Sequence, residues 1–304
     1  MGEMLMKLKG LIAAGFTPMH PDGALRLEAV PGLVDFVISK GIDGFYLCGS
    51  TGEGPSLSSR ERTQVAEAYQ TAIAGRVPVI IHVGHNSLKE AKSLARHAAE
   101  IGCQAIAVAP PSYYPGLTLD GLVQSLQFVA EGAPQTPMYY YHIPRLTGVE
   151  VKPVELLAEA EGKLPTLCGV KFSDTQLDDF LLCTRHGRGD RFNMLFGADE
   201  MLLAGLAMGA DGAVGSTYNF MAPLYRQILK SFEMGHWSQA QKWQAEATEL
   251  VGNILTFGGI RAIKAAMTCL AVDCGPPRLP NLALSPRELE ALQAMLTPWI
   301  ERLQ

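Results

Sequence analysis

Val77-Pro-Val-Ile-Ile-His-Val83 is a short, almost wholly apolar run, opened at Pro78 and closed by Gly84. A helix-period stretch, Leu88–Glu100, follows it, and then a second apolar run, Ala105-Ile-Ala-Val-Ala109. Apolar residues without alternation mean a strand buried on both faces, as in a parallel sheet covered by helices. The same rhythm extends in both directions. Strands are expected at Leu11–Thr17, Gly44–Cys48, Met138–Ile143, Leu167–Phe172, Asn193–Gly197 and Ala213–Ser216. Helical runs fall between them at Ala29–Ser39, Ser59–Ala74, Leu119–Glu131, Val154–Glu161 and Met201–Met208. Gly41 and Gly102 stand just past helices, where a left-handed cap is needed. Pro78 and Pro137 open strands, where a missing N–H costs little. Eight successive strand–helix units favour a closed α/β barrel, the TIM (β/α)8 architecture, over an open doubly wound sheet.

Beyond the eighth unit the helical period continues without a strand. Trp237–Phe257, Ile260–Ala271 and Pro286–Leu303 read as three further helices. The expectation is a barrel over residues 1–224 with a C-terminal three-helix extension over 225–304, forming one structural unit.

Composition narrows the function. Of 304 residues, 48% are hydrophobic and 18% charged, which excludes a disordered chain. No run approaches the roughly 18 apolar residues of a membrane span, and the N-terminus has no signal-peptide pattern. A net charge of −5 argues against a nucleic-acid partner. The most basic stretch, Arg185-His-Gly-Arg-Gly-Asp-Arg191, reads as a solvated loop. The six cysteines show no CxxC or zinc-finger spacing. Reduced, packed thiols in a cytoplasmic protein are the expectation.

In such a barrel, chemistry sits at the carboxyl ends of the strands. Lys171, within Cys168-Gly-Val-Lys-Phe-Ser173, lies in an apolar strand, where loss of solvation would lower its pKa and make it an amine nucleophile. The alternative is a lysine that snorkels to solvent or pairs with a carboxylate. Lys264 lies on a helix, where a surface role is expected. Gly49-Ser-Thr-Gly-Glu-Gly54 lacks the ending of a P-loop; its hydroxyls and N–H groups suit a carboxylate, and a plain helix-capping turn is the competing reading. Tyr141 ends the strand beside that of Lys171, where a phenol can relay protons. Asp199-Glu200 suits either a divalent metal or a polyhydroxy substrate. His82, His85 and His142 form no metal-binding pattern and read as packed groups, so the polyhydroxy substrate is preferred and no metal is expected.

Gly49-Ser-Thr-Gly-Glu53, Tyr141-His-Ile-Pro144, Gly169-Val-Lys171 and Gly215-Ser-Thr-Tyr-Asn219 together resemble the pyruvate-dependent class I aldolases and lyases, the superfamily of N-acetylneuraminate lyase and dihydrodipicolinate synthase. Within it, Tyr139-Tyr-Tyr-His-Ile-Pro144, Lys171-Phe-Ser-Asp174 and Gly275-Pro-Pro-Arg-Leu-Pro280 are most similar to the animal-type N-acetylneuraminate lyases. The resemblance implies a Schiff base on Lys171 with no other cofactor, and proton transfer by Tyr141. It implies that Ser50 and Thr51 hold a pyruvyl carboxylate. Ser173, Gly197, Asp199, Glu200 and Ser216 align with positions that contact the sugar chain and the reacting oxygen. Tyr113 aligns with a tyrosine that reaches a neighbouring subunit's site, implying a homotetramer.

The alternatives in the same superfamily are an aldolase or dehydratase for 2-keto-3-deoxy sugar acids and dihydrodipicolinate synthase; outside it, a keto-acid sensor. Dihydrodipicolinate synthases carry an arginine where Leu146 stands. Arg145 is one place off, and in an extended segment that offset points the side chain the other way. Ala198 is small and leaves room for a long substrate.

Overall fold

The computed structural model describes residues 7–186, 191–270 and 272–303. The centre of the basic run, residues 187–190, therefore lies outside the described residues. Eight strands appear where the apolar runs put them: β1 Gly10–Ala14, β2 Gly44–Leu47, β3 Val79–His82, β4 Ala105–Val108, β5 Met138–His142, β6 Leu167–Phe172, β7 Asn193–Phe196 and β8 Gly212–Gly215. They follow in chain order and close into a parallel barrel. β2 to β8 are buried at every position, so neither strand face meets water and alternation disappears from the sequence.

The helices are α1 Val30–Ser39, α2 Ser59–Ile73, α3 Leu88–Glu100, α4 Leu119–Ala130, α5 Pro153–Glu159, α6 Leu177–His186, α7 Leu202–Ala207 and α8 Tyr218–Glu233, then α9 Trp237–Leu255, α10 Gly259–Leu270 and α11 Pro286–Leu296. Local chemistry sets their ends. Ser58 and Glu61 form a reciprocal capping box on α2, and Ser285 and Glu288 do the same on α11. Gly41 and Gly102 take φ of 85° and 77°, as their positions after helices require. No single helix among the described residues is long and apolar enough to cross a membrane.

The chain divides into two compact units: Met1–Gly10, Val79–Ala198 and Ala204–Val214 in the first; Leu11–Pro78, Asp199–Leu203 and Gly215–Gln304 in the second. In the first, Asn193 ties the polar groups at its base. Its amide exchanges hydrogen bonds with the backbone of Leu8 at 3.0 and 3.1 Å and accepts from the Tyr139 hydroxyl at 2.6 Å. In the second, Asp43 accepts from the Leu11 N–H at 2.8 Å and from Arg226 at 2.6 Å. Phe45 and Leu250 are fully buried there, each worth about 1.5–3 kcal/mol. All six cysteines are unbridged, and burial pushes the thiols of Cys168 and Cys183 up to about 12.

Two expectations need correction. Lys264 is no surface residue: it is 0% exposed, because α10 is buried on more than one side, at Ala262 and Ala266 and again at Lys264, and a buried partner meets the lysine there. The segment after Tyr141-His-Ile-Pro144 is not extended. Pro144–Thr147 is a helical turn closed by Gly148 at φ 65°. Arg145 and Leu146 are both exposed on it, about 100° apart around the turn axis rather than on opposite faces.

Candidate active site

Lys171 and Tyr141 occupy adjacent strands in direct register. Both are buried, and the Lys171 Nζ lies 4.1 Å from the centroid of the Tyr141 ring. The ring face is the negative side of the aromatic quadrupole and attracts an ammonium. His82 meets the same ring edge-on, centroids 5.7 Å apart, while its Nε2 accepts from the Ala109 N–H. Two residues back on the Lys171 face stands Gly169. A Cβ there would overlap the Asn193 carbonyl and press on the Tyr139 ring, so glycine makes room for the layer beneath the lysine.

Strand alternation separates the remaining polar residues of β5 and β6. His142 pairs with Phe172 on the opposite face and packs on its ring at 5.0 Å; that ring in turn meets Phe180 of α6. Of the expected histidines, His82 touches Tyr141 and His142 turns away. Burial pushes the His142 imidazole down to about 4, against the opposing charges of Asp174 and Asp179. Ser173 continues past the end of β6, where its N–H donates to the His142 carbonyl at 2.8 Å. A Cβ on Gly197 would overlap the Ser173 hydroxyl, so the pair approaches only because residue 197 is glycine. Tyr113 is 77% exposed and stacks edge-to-face on Tyr114.

The second unit carries the hydroxyl-rich turn. Cys48 and Glu53 both adopt left-handed backbone, φ 57° and 54°, a state costing on the order of 1 kcal/mol or more for a residue with a Cβ. Between them the chain doubles back so tightly that a Cβ on Gly54 would overlap the Cys48 carbonyl. Ser50 is exposed and Thr51 buried at the tip. The Thr51 and Ser216 hydroxyls are 2.7 Å apart. Among the described residues nothing accepts the N–H of Ser50 or Thr51, which leaves two donors beside two hydroxyls. Asn219 pins the end of β8 by donating to the carbonyls of Ala14 and Ser216, 2.7 Å each.

Asp199, also in this unit, is buried, and its Oδ2 accepts from both the N–H and the hydroxyl of Thr217, at 2.8 and 2.7 Å. With its proton given to Asp199, the Thr217 oxygen accepts from the Tyr225 hydroxyl at 2.9 Å. Burial, helped by the Asp199 charge, holds the Tyr225 phenol well above its ordinary value and therefore protonated. Glu200 is exposed, and its carbonyl accepts from Thr248 of α9.

Sequence reasoning named Thr217 only as part of the Gly215-Ser-Thr-Tyr-Asn219 motif and missed that it organises Asp199. It also missed the partner of Lys264: the Glu53 carboxylate, 2.8 Å away. Burial pulls the Lys264 ammonium below its ordinary value, and the Glu53 charge opposes that pull. The available signals were an acid inside a glycine-rich turn and a lysine flanked by small apolar residues on α10.

The model of the Dihydrodipicolinate synthetase family matches residues 7–298. The N-acetylneuraminate lyase of Homo sapiens is 44% identical over 294 residues, covering 95% of this chain and 92% of its own. Among solved structures, the N-acetylneuraminate lyase of Proteus mirabilis superposes with a TM-score of 0.92 at 34% identity, over 96% of this chain and 99% of its own. A catalytic lysine mutant of the Ruminococcus gnavus sialic acid aldolase superposes with a TM-score of 0.90 at 29% identity, over 98% of each chain.

Proposed function

The chain belongs to the Dihydrodipicolinate synthetase family, and from that premise we propose that it is a carbon–carbon lyase cleaving N-acetylneuraminate reversibly to N-acetylmannosamine and pyruvate. The observation that carries the reading is a buried lysine in strand register with a tyrosine, Nζ 4.1 Å from its ring. The 44% identity to a lyase of that name supports the substrate, and the catalytic lysine of the Ruminococcus gnavus aldolase supports the role of Lys171.

The neutral Lys171 amine attacks the C2 ketone of the open-chain sugar acid and water leaves, forming an iminium. Removal of the C4 hydroxyl proton, by Tyr141 or by the substrate carboxylate, breaks the C3–C4 bond. Its electron pair moves into the iminium and gives an enamine, while N-acetylmannosamine departs as the aldehyde. Protonation at C3 and hydrolysis then release pyruvate and return the amine. The iminium is itself the electron sink, so this route calls for no metal or cofactor.

Ser50 and Thr51 hold the pyruvyl carboxylate, and that charge stabilises the iminium cation. Ser173, Gly197, Asp199, Glu200 and Ser216, the last bonded to Thr51, face the sugar chain and the reacting oxygen. Thr217 donates twice to one carboxylate oxygen of Asp199, which fixes the orientation of the carboxylate. Tyr113, largely exposed, completes a neighbouring subunit's proton relay in a homotetramer, and a cytoplasmic location belongs to the same proposal.

The test is pyruvate release from N-acetylneuraminate, followed through lactate dehydrogenase as loss of NADH. Release is the expected result. A folded protein that releases none, yet still forms a borohydride-trapped pyruvate adduct, would move the substrate to shorter 2-keto-3-deoxy acids.

A further inference from the structure

The Gly49–Gly54 turn holds one charged side chain that the chemistry above does not use. Glu53 is 3% exposed and sits in left-handed backbone at φ 54°. Its two carboxylate oxygens accept from two donors far away in sequence. Oε1 takes the Lys264 ammonium at 2.8 Å, and Oε2 takes the Arg278 N–H at 2.7 Å. Lys264, fully buried, also donates to the Pro276 carbonyl at 2.9 Å. The segment bearing those partners is itself closely held. The Met19 N–H donates to the Cys274 carbonyl, and Gly275 passes so near the Met19 carbonyl that a Cβ would overlap it. The Arg278 guanidinium binds the Glu61 carboxylate at 2.8 and 2.9 Å and the Ser56 carbonyl. In the turn, the Glu53 N–H donates to the Ser50 carbonyl at 3.1 Å. Thr51, two residues earlier, bonds Ser216.

A buried ion pair is a weak way to stabilise a fold, since apolar residues of equal volume often do as well. What it supplies is direction. An ionised carboxylate offers acceptors to both donors at once, whereas an amide in its place turns an N–H2 against one of them. We propose that Glu53 and Lys264 are a positioning pair, which holds the Ser50–Thr51 tip in the geometry that receives a carboxylate and so selects keto acids over uncharged ketones. The inference rests on the functional reading above, in which that turn receives the pyruvyl carboxylate.

The experiment is reductive trapping on the full-length protein. Lys171 condenses with a ketone, water leaves, and hydride from borohydride reduces the iminium to a secondary amine that intact mass detects. Pyruvate is compared with hydroxyacetone, which has the carbonyl without the carboxylate. For Glu53→Gln, half-saturating pyruvate should rise at least about tenfold and half-saturating hydroxyacetone by less than about twofold, the size expected from one weakened charge-assisted hydrogen bond. The double variant E53Q/K264M leaves no buried charge unpaired and should show the same split. A merely structural role would shift both ketones together, and that result, or no shift in either, overturns the proposal. If the unaltered protein forms no pyruvate adduct, the functional reading fails and the pair's role fails with it.

Discussion

The amine and the hydroxyl turn are held by different physical means. Lys171 and Tyr141 sit within the β5–β6 ladder, one pair from its carboxyl end, where register alone brings residue to residue and glycine beneath the lysine makes space. The Ser50–Thr51 tip has no ladder. Two left-handed residues shape it, and it is held by Ser216, 165 positions from Thr51, and through Glu53 by Lys264, 211 positions from Glu53. A ladder tolerates loss of one side chain because its backbone bonds remain. A turn held by side chains changes shape when one of them goes. The first region should therefore lose chemistry without losing stability, and the second should lose both together.

The largest effect is expected from Lys171→Ala. Turnover should fall by at least about a thousandfold, as when a covalent nucleophile is removed, and the borohydride adduct should vanish, while the urea midpoint moves little. Detectable adduct or unchanged turnover would remove the Schiff base from the account. Tyr141→Phe should lower kcat by about a hundredfold or more, as for loss of a general acid–base group, with the pyruvate adduct still forming. An adduct lost along with turnover would make Tyr141 a packing residue.

The outward face of the same ladder is tested by pH. The His142 imidazole is pushed down to about 4 by burial from an ordinary value of 6.5. As pH falls the unfolded chain takes up this proton first, so stability declines from about pH 6.5 and levels off below about pH 4, a loss of about 3 kcal/mol in all. Unfolding free energies measured across this window should fall less steeply for His142→Phe, whose ring suits the Phe172 and Phe180 packing. Identical slopes would place the titration elsewhere.

The smallest effect is expected from Asp199→Ala in the side-chain-held region. The buried Thr217 N–H loses its acceptor, at a cost of about 1–3 kcal/mol, and KM for N-acetylneuraminate should rise while pyruvate still forms its adduct. A variant with unchanged KM but lowered stability would confine Asp199 to structure. Unchanged stability would break the contrast between the two regions.

Much of this was legible before the structure. β6 has the boundaries its apolar run indicates, and the other strands differ by a few residues at most. The lysine stood out as the one charge inside such a run. The helical turn at Pro144–Thr147 was missed although its signal was present, a proline at the first helical position and Gly148 just past the last. The outward turn of His142 follows from alternation once Tyr141 is set inward. The Lys264–Glu53 pair lay beyond local reasoning, because a lysine on a helix reads as exposed until its partner is known, and that partner is 211 residues away.

By itself, then, the sequence determined the period of burial, the order of strands and helices, and the chemical types available at each strand end, since these depend on neighbours within a turn or a pleat. The tertiary structure decided which charges are buried against which. It put Lys171 over Tyr141, committed one oxygen of Asp199 to Thr217 and closed the 49–54 turn on Lys264. A buried charge is tolerable only where a distant partner arrives to meet it, and that arrival is a property of the folded chain.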